Sequence, residues 1–240
     1  MSTEFVDCAP AGRRYTRSRR VGLGDVTVSG RLRLDALASY LQDVATDDVD
    51  DAGISGTWVL RRMAMQLGEL PRFRDDVTLA TFCSGIGSHW AERRTTVRVD
   101  GRIAAEAAAL WVFVDAVGRP ARLEDWFSDR FGSAAGGRTV RARLWHSAPP
   151  GHATVRPWVL RRSDFDVLGH VNNAVSWEPV EDELARAARG RRLVGAEIEY
   201  RSPVDPGDEL TLHSAVDERR VSCWLTCRGE VRTSAFADLA

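Results

Sequence analysis

A chain of 240 residues, 44% hydrophobic and 28% charged, has enough apolar matter for a sizeable core, as one large domain or two of about 100–120 residues. Its formal net charge of -1 gives no electrostatic basis for binding nucleic acid or an anionic membrane. No run of about 18 apolar residues exists to form a membrane-spanning helix. The opening MSTEFVDCAPAGRR lacks the apolar stretch of a secretory signal, so the expected location is cytoplasmic. Cys8, Cys83, Cys223 and Cys227 then read as free thiols, and Cys223 and Cys227 as small fillers of one strand face.

In chain order, residues 1–13 read as a disordered start and Arg14 to Val21 as a short strand. Leu34, Leu37, Ala38, Leu41, Val44 and Ala45 recur at the spacing of one helix face, and Gly53 is the expected stop. Asp47, Asp48, Asp50 and Asp51 crowd the end of this helix, where negative charge opposes the dipole and predicts fraying. They lack the carboxylate spacing of a calcium loop, so no metal is read there. From Thr57 to Asp115 the period falls to two. Strands are expected over Thr57–Leu67, Val77–Ser84, Trp90–Val99 and Arg102–Val114, the last two joined by an Asp100-Gly101 hairpin turn.

Glycines and prolines between 116 and about 150 mark a linker, with a short amphipathic helix over Leu123–Phe131. The second half then runs strand Val155–Leu160, a polar loop, and a helical segment Ala174–Ala188. Pro179 interrupts that helix and should kink or restart it. Strands follow near Leu193–Tyr200, Glu209–Val216, Val221–Arg228 and Val231–Ala237. Asp25 and Gly30 match Asp164 and Gly169 at an offset of 139; Met65, Asp75 and Val77 match Ile198, Asp208 and Leu210 at 133. These matches imply a duplicated unit of helix plus antiparallel strands. The expected class is α+β, with repeats at 14–118 and 153–240 and a linker at 119–152.

The chemistry concentrates in Arg161 to Asn173, RRSDFDVLGHVNN, the loop between strand and helix of the second repeat. Asp166-x-x-Gly169-His170-Val171-Asn172-Asn173 resembles the signature of the acyl-acyl carrier protein thioesterases, plant-type and bacterial, and that of single-hotdog acyl-CoA thioesterases. Thr57 to Arg62, with Pro71 and Asp76 following, and Glu199-Tyr200-Arg201 are similar to further pieces of the first family. The resemblance covers most of the chain from about Tyr15 and implies a tandem hotdog fold, each repeat a long helix wrapped by a curved antiparallel sheet. Three positions depart from the plant-type pattern. Leu168 stands for an asparagine, Pro203 (followed by Val204) for an acid, and Ser176 for an aromatic that here comes one residue later, as Trp177. The Asp-Gly-His-Asn core of the single-hotdog enzymes fits better.

The resemblance implies thioester hydrolysis without a cofactor or metal. Asp166 is then the general base or nucleophile, worth about 10²–10⁴ in rate. N–H groups around Gly169 and His170, at an expected helix start, would meet the carbonyl oxygen. His170 would orient water or donate to the oxyanion, and Asn172 and Asn173 would hold the loop or the thioester. Trp58, Met63 and Trp177 join Asn173 as substrate-binding candidates, with Leu37, Leu41 and Met65 as further lining. Glu178 and Glu199 are reserve acids. The first copy has Thr27, Arg31 and Arg33 where the second has Asp166, His170 and Asn172, so one copy holds the catalysis and the other shapes an acyl cavity. The implied partner is acyl carrier protein or acyl-CoA, with Arg61, Arg62, Arg161 and Arg162 as candidate contacts, and the chain is a monomer or homodimer. Leu168 and Pro203 keep open a non-catalytic acyl-binding module.

Overall fold

The computed structural model describes residues 3–187 and 190–240, and its frame is one antiparallel sheet of ten strands. In chain order these are β1 (Tyr15–Arg20), β2 (Thr57–Leu67), β3 (Asp76–Ile86), β4 (Trp90–Val99), β5 (Arg102–Val114), β6 (Thr154–Trp158), β7 (Leu193–Tyr200), β8 (Leu210–Val216), β9 (Arg220–Cys227) and β10 (Glu230–Leu239). Across the sheet they run β1-β3-β4-β5-β2-β7-β10-β9-β8-β6. From the central β2–β7 pair, each side repeats the same succession. Met63 lies opposite Ile198 at this junction, so the two repeats share one continuous sheet.

Among the described residues, three α-helices accompany the sheet: α1 (Leu34–Asp51), α2 (Asp125–Ala135) and α3 (Glu178–Ala187). The apolar stripe of α1 buries Leu34, Leu37, Leu41 and Val44 against Met63, Met65, Leu79 and Val97, while Trp177 and Val180 serve the second repeat in the same core. This is the tandem hotdog arrangement, one helix to each half-sheet. Asp100 and Gly101 have φ of 48° and 81°, and Arg228 and Gly229 repeat the pair at 52° and 83°, so both closing hairpins use the turn that matches strand twist. Pro179 is the second residue of α3, where its missing N–H costs nothing. A separate 3₁₀ turn, Val175–Trp177, precedes it, so the expected restart is observed; Ala188 lies outside the described residues.

Two expectations change. The C-terminal end of α1 does not fray. Asp48 is 1% exposed; it accepts from Arg13 Nε at 2.9 Å and Arg93 Nη1 at 2.5 Å, while Arg17 pairs with Asp47. These guanidinium groups replace the cations that the helix itself lacks. Arg13 belongs to the segment read as disordered. That segment forms no helix or strand from residue 3 onward, but it is packed: Arg94 sits over the Phe5 ring, and Ala9 N–H donates to the Ala134 carbonyl.

Past α2, the linker around Trp145–Ser147 crosses the sheet face opposite α1 and α3. Alternation on β7 puts Ala196, Ile198 and Tyr200 in the core and turns Glu197 and Glu199 outward. There Glu199 accepts the N–H groups of Trp145 at 2.5 Å and His146 at 3.1 Å, while Trp224 Nε1 donates to the Ser147 carbonyl. His146 stacks on Phe236 of β10, and Arg62 of β2 lies over the Trp145 ring. The linker is thereby a strap pinned to both repeats.

Candidate active site

The polar loop forms a small hairpin. Phe165 and Val171 bridge; Asp166 N–H donates to the His170 carbonyl at 2.9 Å, and Gly169 N–H to the Asp166 carbonyl at 3.0 Å. Gly169 has φ of 80°, a left-handed conformation favouring glycine. Asp166 Oδ1 accepts the Leu168 N–H at 2.8 Å. Val167 and Leu168 occupy the exposed tip, at 102% and 63%.

The first repeat builds the same loop bond for bond. Val26 bridges Leu32, Thr27 N–H meets the Arg31 carbonyl, Gly30 N–H meets the Thr27 carbonyl, and Gly30 has φ of 82°. Asp25 and Asp164 each accept the N–H three residues back, from Gly22 at 2.9 Å and Arg161 at 2.7 Å. Asp164 is therefore scaffold. The loops differ in the side chains they present.

His170 Nδ1 lies 2.7 Å from Asp205 Oδ1, with the two side chains 47% and 57% exposed. A carboxylate oxygen only accepts, so Nδ1–H donates, and Nε2 is the ring nitrogen left to accept whenever the ring is neutral. Sequence reasoning missed Asp205. It stands two residues beyond Pro203, in a turn where its own N–H meets Asp208 Oδ2 at 3.1 Å, which holds the Asp208 carboxyl below its usual range. A signal was present: at the offset of 133, Asp205 matches Arg72, and Arg31 bridges Arg72 in the first repeat. Like charges in one copy become a histidine and a carboxylate in the other.

Asn172 Oδ1 accepts the Ala174 N–H at 2.8 Å and Gln42 Nε2 of α1 at 3.3 Å. The Asn173 carbonyl accepts the Tyr200 hydroxyl at 2.8 Å. The expected use of loop N–H groups needs correction at Gly169. Its N–H is consumed inside the turn, and the turn is a hairpin tip rather than a helix start. Among the described residues, the N–H groups of His170 and Asn173 have no hydrogen-bond partner.

The remaining candidates separate. Trp58 lines a pocket of about 440 Å³ in the first repeat, with Ala45, Thr46 and Val49 of α1, Trp111 and Phe127. Met63 and Trp177, at 1% and 0% exposure, are packed core and line neither this pocket nor the groove described next; Leu37, Leu41 and Met65 are core as well. An open groove of about 880 Å³ runs beside the hairpin, past Leu160, Arg161, Arg162, Phe165 and Pro206. Glu178 is half-buried and pairs with Arg161 at 3.2 Å; desolvation raises its carboxyl, with the Arg161 charge acting against the rise. Glu199 holds the strap, and Arg62, at 6% exposure, lies beneath it and is no surface contact. No helix among the described residues is long and apolar enough to cross a membrane.

The second loop thus presents Asp166 and His170, the latter paired with Asp205 from the turn after β7, on a tandem hotdog sheet. The chain belongs to the acyl-ACP thioesterase family: residues 12–129 match the model of the acyl-ACP thioesterase N-terminal domain, and residues 148–235 that of the C-terminal domain. The fold is similar to a putative oleoyl thioesterase of Lactobacillus plantarum (TM-score 0.83, 20% identity, covering 96% of this chain and 97% of that one). It is also similar to the 12:0-ACP thioesterase of Umbellularia californica (TM-score 0.81, 17% identity, 95% and 97% covered). An uncharacterized protein of Mycobacterium tuberculosis is 28% identical over 237 residues, covering 97% of this chain and 94% of that protein.

Proposed function

We propose that the protein hydrolyses acyl-acyl carrier protein to a free fatty or related acid and holo-carrier protein. The observation that carries this reading is the match of both halves of the chain to the acyl-ACP thioesterase models, together with a reactive set of side chains on the second loop alone. Asp166 Oδ1 is held by the turn, and its other oxygen takes a proton from water as that water attacks the thioester carbonyl. The C–S bond then breaks, and the leaving thiolate takes a proton back. His170, held through Nδ1 by Asp205, turns Nε2 toward the water as an acceptor. The unpartnered N–H groups of His170 and Asn173 are the donors that remain for the carbonyl oxygen.

The acyl chain is assigned to the pocket in the first repeat, one helical turn beyond Gln42, which touches Asn172. The groove beside the hairpin, with Arg161 and Arg162 on its wall, suits the phosphopantetheine arm. Free thiols fit a cytoplasmic setting. Thiol release from matched acyl-carrier and acyl-CoA thioesters tests the proposal: kcat/KM is expected to favour the carrier by at least about tenfold, or ~1.4 kcal/mol. The reverse preference would select acyl-CoA hydrolysis, the reading that the Asp-Gly-His-Asn core also supports. A folded protein hydrolysing neither would be a binding module. Within the proposal, Asp205→Ala frees the imidazole to rotate and lowers kcat about tenfold or more with KM little changed, as loss of an orienting carboxylate does elsewhere.

A further inference from the structure

The two repeats differ at one position that neither loop contains. Gln42 on α1 and Glu181 on α3 are 139 residues apart, the offset that relates the loops themselves. Each side chain reaches across to the loop of the opposite repeat. Glu181 Oε1 accepts the Leu34 N–H at 2.7 Å, and Oε2 accepts from Arg31 Nη2 at 2.6 Å. Arg31 is the counterpart of His170, and Leu34 of Asn173. In the first loop, a carboxylate from the opposite helix has thus captured both the side chain at the histidine position and a backbone N–H that the second loop leaves free.

Gln42 leaves both unengaged. Its Nε2 donates to Asn172 Oδ1 at 3.3 Å. The orientation of this amide is fixed chemically, because Asn172 Oδ1 already accepts the Ala174 N–H and needs a donor opposite it. Gln42 Oε1 is buried and has no hydrogen-bond partner among the described residues. A neutral amide here steadies the Asn172 carboxamide without attracting a cationic imidazole. A carboxylate at the same position would set acceptor against acceptor at Asn172 and draw a protonated His170 away from Asp205, as Glu181 holds Arg31.

We infer that Gln42 is a positioning residue of the active site, supplied by the helix of the other repeat, and that the choice of glutamine at 42 against glutamate at 181 separates the competent loop from the closed one. The inference rests on the thioester-hydrolase reading and concerns a residue outside the motif. The test compares Gln42→Glu, the near-isosteric Gln42→Met and the reciprocal Glu181→Gln with wild type, using a thioester that wild type turns over, across pH 5 to 9.

For Gln42→Glu, kcat is expected to fall at least about tenfold at pH 8 with KM within about threefold. The loss relative to wild type should deepen as pH falls toward 5, because the introduced carboxylate stays ionised over this range while imidazole protonation supplies the cation that it draws away from Asp205. Gln42→Met should lose activity at all pH values. Glu181→Gln should keep the wild-type kcat and pH profile while melting lower, since it loses only the Arg31 ion pair. Folded Gln42→Glu and Gln42→Met proteins with wild-type kcat and pH profile would overturn the inference and leave the hydrolase reading intact. Uniform loss of activity in Gln42→Glu without pH dependence would reduce Gln42 to a packing role. A wild type that hydrolyses no thioester would overturn the reading and this inference together.

Discussion

Asp166→Asn lowers kcat for thioester hydrolysis by at least about a hundredfold, within the 10²–10⁴ expected of one positioned base, and changes KM little. The substitution isolates charge from structure. The introduced carboxamide would keep the Oδ1 acceptor that Leu168 N–H meets at 2.8 Å, and the backbone bond from Gly169 N–H to the carbonyl of position 166 is untouched, so the turn survives. What is lost is the anionic oxygen that the turn does not use. Asp166→Ala removes both and should also melt lower. If Asp166 only shapes the turn, the pattern inverts: the Asp166→Asn protein retains activity and Asp166→Ala loses it. Single-turnover thiol release measured alongside the melting temperature separates these cases. Near-wild-type turnover by Asp166→Asn would move the base to His170 Nε2, which the Asp205 contact leaves bare. Hydrolysis in ¹⁸O water tests for a nucleophile. Label found on Asp166 after a single turnover marks a covalent anhydride opened by water at the Asp166 carbonyl, an outcome that a base, which sends all the label to the product acid, never gives.

Most of the frame was legible because its signals are local. The period-two runs gave β2 to β5, and a single helix face gave α1. Asp100-Gly101 gave a hairpin whose left-handed angles leave few other structures. The offset of 139 gave the repeat, which the structure reproduces bond for bond in the two loops. The motif placed Asp166, His170 and Asn172 on one loop. The partners of those residues were not legible, because polar partners are set by packing across long sequence separations. Asp205 lies 35 residues from His170 and displaced from the family position, and Gln42 lies 130 residues from Asn172. Arg13, 35 residues from Asp48, neutralises a helix end that looked unstable from its own charges. Gly169 shows a different failure. Its residue type was read as an opening for a ligand, but its N–H closes the turn that gave it a positive φ.

Glu199→Ala is expected to destabilise the protein by about 3–5 kcal/mol, the usual result of removing one partner from a buried charge pair. At this chain length that corresponds to a fall in Tm of about 6–20 °C. Glu199 is 0% exposed. One oxygen receives the N–H groups of Trp145 and His146, and the other receives Arg201 Nη2 at 3.0 Å. Alanine leaves two strap N–H groups and a guanidinium without their acceptor, and Arg201 also donates to the His146 carbonyl, so the strap loosens at several points together. Arg201 is a third exposed, which places the effect toward the lower end of the range. His146, Glu197 and Glu199 bring their ligand atoms within 4.8 Å of one another. Within it Arg201 pairs with Glu199 at 3.0 Å, and His146 Nε2 lies 3.4 Å from Glu197 Oε1. Glu199→Gln should be milder, because its amide oxygen still accepts both strap N–H groups. In either variant the turnover of the folded fraction should match wild type, since this cluster lies on the face of the sheet opposite α1 and α3. A Glu199→Gln protein with an unchanged Tm and a hundredfold loss of kcat would reverse the assignment, making Glu199 the acid of the reaction and the strap incidental to it.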